Sequence, residues 1–184
     1  MIITISGDPG SGKSTIAKAV AKELNYKHYS VGDRQREVAA KRGISILELN
    51  KQEEKDPSID RDMENWQEQL GKKEDNFVID SRIGFSFIPK SIKIFLKTQS
   101  KVAADRVFRD LQNNIRQTEK EKTYDEVLKA IVERQQSERK RYIKYYGVDN
   151  LDMKNYDFVL DASKLSIAEE TKQVLDFIKS RMKK

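Results

Sequence analysis

The residues best suited to chemistry lie near the start of the chain. Gly7-Asp8-Pro9-Gly10-Ser11-Gly12-Lys13-Ser14 fits the spacing G-x-x-x-x-G-K-[ST]. In such a loop glycines let backbone N–H groups turn inward around phosphate oxygens. The lysine then reaches the β- and γ-phosphates, and the serine hydroxyl is placed to ligate Mg²⁺. A Gly-rich turn before an ordinary helix is the alternative. It gives no reason for a lysine and a hydroxyl to follow the last glycine, and the motif stands between a strand-like and a helix-like stretch, as a phosphate cradle requires. Two arginines extend the pattern: Arg36 follows Gly32-Asp33, and Arg82 follows Asp80 at the end of an apolar run. Both fall where doubly wound sheets bind ligands, and a guanidinium can grip a phosphate with two parallel hydrogen bonds. Taken alone, Arg36 is equally well read as a solvent-exposed helix charge.

A third constellation lies late in the chain. At 100° per residue, Arg134, Ser137, Glu138 and Arg141 share an arc of about 100°, continuing the face that Val127 and Ile131 begin as apolar. A merely solvated helix sets its charges opposite its apolar stripe, so this inward charge predicts an anion site; an internal ion-pair cluster is the alternative.

The elements that must position these groups follow from periodicity. Short β-branched or aromatic runs at 2–6, 26–30, 77–79, 92–96 and 158–160 read as strands, and the last three have the two-sided hydrophobicity suited to buried parallel strands. Helical spacing begins at Lys13, recurs around Val38 and Ala39, and fills 45–70, 100–112, 123–145 and 166–181. The 45–70 stretch is broken at Asp56-Pro57, with Asp56 as the cap and Pro57 in the first turn of a new helix. Strands alternating with helices predict an α/β fold: one domain over 1–184 with a doubly wound, five-stranded parallel sheet. The polar segment 113–122 has few apolar anchors and is expected to be mobile.

Composition narrows the function classes. The chain has 184 residues, with 36 Lys or Arg against 30 Asp or Glu, no Cys and a single His. Thiolate and His-cluster metal sites are thereby excluded, as is a disulfide framework. No apolar run approaches the ~20 residues of a membrane helix, which points to a soluble cytoplasmic protein. Residues 90–146 hold 15 Lys or Arg against 8 Asp or Glu, so the whole positive excess sits there. Such a segment is commonly a solvated helix or a general nucleic-acid surface. The nearest match to a guanine-reading loop, Asn50-Lys51-Gln52-Glu53, lies in a helical stretch and ends in the wrong residue, which argues against a GTPase. His28 and Trp66 read as structural, and Tyr142, Tyr145 and Tyr146 as closing a helix end against the sheet.

In this order the motifs resemble those of the cytidylate kinases, a branch of the nucleoside monophosphate kinases, and most closely the small archaeal-type form. The marks are the P-loop Gly7 to Thr15, Ser30-Val31-Gly32-Asp33-Arg34-Gln35-Arg36, Asp56-Pro57-Ser58-Ile59-Asp60-Arg61, Val78-Ile79-Asp80-Ser81-Arg82, and Glu133-Arg134 through Arg141. The resemblance implies a P-loop kinase fold with an acceptor-binding helical insert at 31–72 and a lid with flanking helices at 106–141. It implies ATP as donor, bound by Gly7, Asp8, Pro9, Gly10, Ser11, Gly12, Lys13, Ser14 and Thr15, with Ala162, Ser163 and Lys164 bordering the adenine. Arg36 and Arg82 would hold the acceptor phosphate, with Asp33, Arg61 and Asp80 beside them, and Arg134 and Glu138 would contact the acceptor's ribose or phosphate. Arg106, Arg109 and Arg141 would clamp the transferring phosphates. Ser14 and Asp80 would serve Mg²⁺, Asp80 by holding a bound water or by orienting Arg82. The basic segment then becomes a phosphate lid on a monomeric enzyme of small nucleotides, with neither nucleic acid nor membrane as partner. Two positions depart from the family pattern: Ser81 stands where Gly is usual, and Ile83 where the bacterial form has an acid that could accept from the cytosine amino group. A kinase of UMP, AMP or a shikimate-like metabolite is the rival within enzymes, and an ATP-dependent nucleic-acid-binding protein the rival outside them.

Overall fold

The fold is that of a computed structural model, which describes every residue except 57, 114, 116–120, 183 and 184. Pro57 and most of the 113–122 segment therefore lie outside the described residues. The chain runs β1 (Ile2–Gly7), α1 (Lys13–Leu24), β2 (Lys27–Ser30), α2 (Val31–Arg42), α3 (Ile46–Glu53) and α4 (Ser58–Lys73). It continues through β3 (Phe77–Asp80), α5 (Gly84–Phe87), β4 (Ile92–Lys97), α6 (Ser100–Gln112), α7 (Tyr124–Tyr146), β5 (Phe158–Asp161) and α8 (Ile167–Met182). Five parallel strands form one sheet in the order β2-β3-β1-β4-β5.

Register brings the strand ends together. Ile5 and Ser30 both pair with Asp80, Gly7 pairs with Leu96, and Lys97 with Asp161, so all five carboxyl ends meet along one edge. Loops carrying chemistry converge on that edge because each parallel strand must leave through it. Alternation sorts the two faces. Ile3, Ile5, Val78, Ile94 and Leu96 pack against Ile16 and Val20 of α1 and Val174 and Ile178 of α8. Phe77 and Ile79 turn the other way, toward Met63 and Leu70 of α4. The expectation of two-sided burial for the runs at 77–79, 92–96 and 158–160 holds for β3 and β4 but not for β5, an edge strand that leaves Val159 exposed; β2, at the other edge, leaves Lys27 exposed.

Caps set where the helices begin and end. Ser45 and Thr123 form capping boxes with Glu48 and Glu126, which start α3 and α7. Asp56 accepts from the Ser58 N–H at 2.9 Å, the capping role its type predicted. Asn25 closes α1 in the left-handed region at φ 54, which delays β2 to Lys27. The short α5, absent from the periodicity, is a single turn that packs Phe85 on Tyr142. Among the described residues no helix is long and apolar enough to cross a membrane.

Candidate active site

The Gly7–Ser14 loop leads from β1 into α1. Gly10 and Gly12 take φ 75 and 84, conformations that side chains with a Cβ rarely adopt. Gly12 is the N-cap of α1 and makes no side-chain cap bond, and the helix has no acid in its first turn. Its first N–H groups and dipole are thus oriented for an anion. The loop is braced from three sides. Asp8 accepts from the Thr98 N–H and from Gln135 Nε2 of α7, each at 2.8 Å. Burial pushes the Asp8 carboxyl up, against the pull of the Thr98 N–H and the charge of Arg82. Arg106 of α6 donates to the Ser11 carbonyl (3.0 Å) and the Ala162 carbonyl (2.8 Å), and pairs with Glu170 (3.1 Å).

Behind the loop stands Asp80, with no exposed surface at the end of β3. Ser14 Oγ donates to its Oδ1 at 2.8 Å, Ser30 Oγ donates to the same atom at 3.0 Å, and His28 Nε2 lies 2.8 Å from Oδ2. Burial alone would raise this carboxyl. The His28 hydrogen bond, the Lys13 charge and the Ser14 hydroxyl outweigh it and hold Asp80 below its ordinary value. Ser30 also accepts from the Asp33 N–H at 3.1 Å, capping α2 and starting the turn that carries Asp33 and Arg36.

The far wall belongs to α7. Glu138 is 1% exposed and takes Arg82 Nε at 2.5 Å and Arg134 Nε at 2.8 Å. Arg82 Nη1 also donates to the Gly7 carbonyl. Burial acts to raise Glu138, yet Arg82, Arg134 and Arg141 bring it down to about 2. Lys13 is pushed well below its ordinary range by burial and then by the charge of Arg82, with Asp80 opposing. This is the electrostatic state of a site assembled to meet more negative charge than the protein itself supplies.

The residues foreseen as a site divide accordingly. Lys13, Ser14, Asp33, Arg36, Arg82 and Arg134 line one cleft of about 340 Å³ at the carboxyl edge, with Glu138 holding its arginines from behind. Arg141 is corrected: its side chain is fully buried, pairs with Glu53 of α3 at 2.9 Å and donates to the Asn50 carbonyl at 3.2 Å, so it ties α7 to α3 rather than facing the P-loop. Arg106 is engaged by backbone carbonyls beside the loop rather than presented to the cleft. Arg61, Arg109 and Lys164 lie exposed on α4, α6 and the loop after β5, while Ser163 Oγ accepts from the Gln99 N–H at 3.1 Å. Asp80 does not orient Arg82, which turns to Glu138. His28, Gln135 and Glu53 were not foreseen as part of this machinery. Glu53 carried a signal, for it shares the buried face of α3 with Ile46, Leu49 and Asn50. A larger groove of about 710 Å³, lined by Ile2, Gly71, Phe87 and Ile88, sits at the amino end of β1, away from the phosphate-binding loop.

A parallel sheet, a phosphate-binding loop entering α1 and a cleft walled by arginines together define a P-loop kinase. The same architecture recurs in solved structures: shikimate kinase from Bacteroides thetaiotaomicron superposes with a TM-score of 0.65 at 16% identity, covering 97% of this chain and 98% of that one. An uncharacterized protein from Eubacterium ventriosum superposes at 0.72 with 20% identity, covering 98% and 99%. Sequence comparison is more specific. The model of the cytidylate kinase-like family matches residues 2–164, and the chain belongs to that family. It is 35% identical to the cytidylate kinase of Sulfurisphaera tokodaii (94% of this chain, 92% of that one). It is 36% identical to that of Pyrobaculum islandicum (97% and 92%) and 38% to that of Methanosarcina mazei (89% and 88%).

Proposed function

We propose that this protein is a nucleoside monophosphate kinase that transfers the γ-phosphoryl group of ATP to CMP or dCMP, giving ADP and the nucleoside diphosphate. The observation that carries the reading is the cleft in which Lys13 of the P-loop faces Arg36, Arg82 and Arg134, in a chain of the cytidylate kinase-like family. Lys13 and the first-turn N–H groups of α1 bind the donor phosphates. Arg36, steadied by Asp33 at 2.8 Å, and Arg82, steadied by Glu138, hold the acceptor phosphate. The acceptor oxygen is already anionic at neutral pH, so positioning and charge stabilisation do most of the work and no general base is needed. Arg134 and Lys13 meet the charge that spreads over the transferring group.

Mg²⁺ fits here on the chemistry of the donor set: the Ser14 hydroxyl and Asp80 carboxylate converge at 2.8 Å beside the loop, both hard oxygen ligands. When bound, held by Ser14 and Asp80, the ion would supply positive charge that offsets the negative charge developing on the transferring group. Asp80 is kept ionised and correctly turned for this by His28 and Ser30. Action on free nucleotides, as a monomer in the cytoplasm and without nucleic acid as partner, belongs to the same reading.

An acceptor panel tests it. With ATP and Mg²⁺, ADP release should depend on CMP or dCMP and should be far slower with AMP or shikimate. ATP turnover indifferent to every free acceptor, together with steeply salt-dependent RNA binding, would support the nucleic-acid-binding alternative instead.

A further inference from the structure

We propose that the side-chain carbonyl of Gln67 reads the amino group of the acceptor's cytosine and so sets the preference of this enzyme for cytosine over uracil; the inference rests on the proposed CMP kinase activity. Gln67 lies on α4 of the insert with no exposed surface. Its Nε2 donates to Glu64 Oε2 at 2.6 Å and to the Met63 carbonyl at 3.3 Å. These two acceptors fix the orientation of the carboxamide, because turning it over would set its oxygen against a carboxylate. The oxygen Oε1 is therefore the end left over, and it has no hydrogen-bond partner among the described residues. A buried acceptor in that condition is rare.

Its location gives the acceptor a purpose. Oε1 lies beside Gly84, where a Cβ would stand 3.1 Å from it and 3.0 Å from Ser81 Cβ. Ser81 and Gly84 bracket Arg82, the arginine proposed to hold the acceptor phosphate, so the carbonyl packs against the same turn that carries that arginine. The residue after Arg82, where a carboxylate could accept from cytosine, is Ile83, and it is 1% exposed. Gln67 brings from α4 the acceptor that position 83 lacks. Cytosine offers an amino donor at its 4-position and uracil a carbonyl, so with uracil two acceptors would face each other unpaired. Since Oε1 is sealed in the structure, base entry must draw α4 away from the 81–84 turn before the insert closes over it.

The test compares kcat/KM for CMP, UMP and the 5′-monophosphate of pyrimidin-2-one riboside, which is CMP without its amino group, in the wild type and in Gln67→Met. The wild type should favour CMP over both others by about 10- to 100-fold. In Gln67→Met, which keeps length and volume but has no carbonyl, the value for CMP should fall by a similar factor and that for the pyrimidinone should hold within about twofold. A folded Gln67→Met that keeps the wild-type CMP preference overturns the proposal, and so does a wild type that uses the pyrimidinone as well as CMP. If Gln67→Met does not fold, Glu64→Leu serves in its place: releasing the carboxamide to turn over should raise UMP relative to CMP, and an unchanged ratio counts against the proposal. Transfer to a non-pyrimidine acceptor with none to CMP would instead refute the proposed function, and this inference with it.

Discussion

Arg82 and Glu138, 56 residues apart in the chain, meet at 2.5 Å behind the phosphate-binding loop, and the same carboxylate takes Arg134 at 2.8 Å. One buried acid thus orders two guanidinium groups that come from different elements, the end of β3 and the middle of α7. Both are held through Nε, and Arg82 is further tethered to the Gly7 carbonyl. Arg82, proposed above to hold the acceptor phosphate, is consequently fixed to the backbone of the phosphate-binding loop.

Glu138 should make stability sensitive to acid. Its folded value of about 2 lies below the ordinary 4.5, so the unfolded chain takes up the proton first. The contribution is complete above pH 4.5 and is lost as pH falls toward 2; the shift corresponds to roughly 3 kcal/mol. Urea unfolding followed across this window should show the loss in the wild type. In Glu138→Gln the loss should be smaller, from a protein already destabilised by about 3–5 kcal/mol, because two guanidinium groups are left without their anion.

Lys13→Met should separate catalysis from stability. The ammonium of Lys13 is crowded by Arg82 and Arg134, so its removal should leave the melting temperature of the nucleotide-free protein unchanged or raised. Phosphoryl transfer should nevertheless fall by about 10³-fold, since the charge that meets the transferring group is gone. Calorimetry and a coupled assay on one preparation check both halves.

Arg36→Ala should weaken the acceptor selectively. Arg36 faces the cleft and leans on Asp33, and its hydrogen bond goes to Asp33 rather than to the P-loop. Its loss should raise KM for CMP by about 10- to 100-fold, as expected for one charge-assisted contact, while KM for ATP stays within about twofold. Initial rates with each substrate varied in turn supply the comparison.

Arg141 should behave as a structural residue. Arg141→Ala removes the guanidinium that neutralises buried Glu53, and unfolding stability should drop by about 3–5 kcal/mol. Arg141→Met combined with Glu53→Leu replaces the pair by apolar side chains and should recover most of that loss. The double variant should also keep kcat near the wild-type value. A role on the transferring phosphates, as the family resemblance implied, would instead leave kcat low in both variants.

Local signals made much of this legible. The P-loop and the strand–helix alternation are written in residue type and period, and both the five-stranded sheet and the entry of Lys13 into α1 follow from them. The inward face of α7 was equally readable, for Ser137, Glu138 and Arg141 are all buried. Which partner an inward charge meets is a tertiary fact, and no periodicity carries it. Arg141 could have faced a phosphate or Glu53, and only the packing of α3 on α7 decides. Likewise His28 reads as an ordinary edge-strand residue until β2 pairs with β3 and sets Ser30 opposite Asp80, which brings the imidazole to the carboxylate. The basic excess of residues 90–146 is divided by the same packing. Arg106 and Arg141 are balanced by Glu170 and Glu53, and Arg134 stands at the cleft on Glu138.

The most direct measurement follows the phosphoryl group itself: ATP labelled at its γ-phosphate is incubated with the protein, Mg²⁺ and CMP, and the labelled products are separated. The account requires the label to appear in CDP, at a rate that saturates with CMP and is lost in Lys13→Met. Label released only as inorganic phosphate, or at a rate indifferent to CMP, would contradict it.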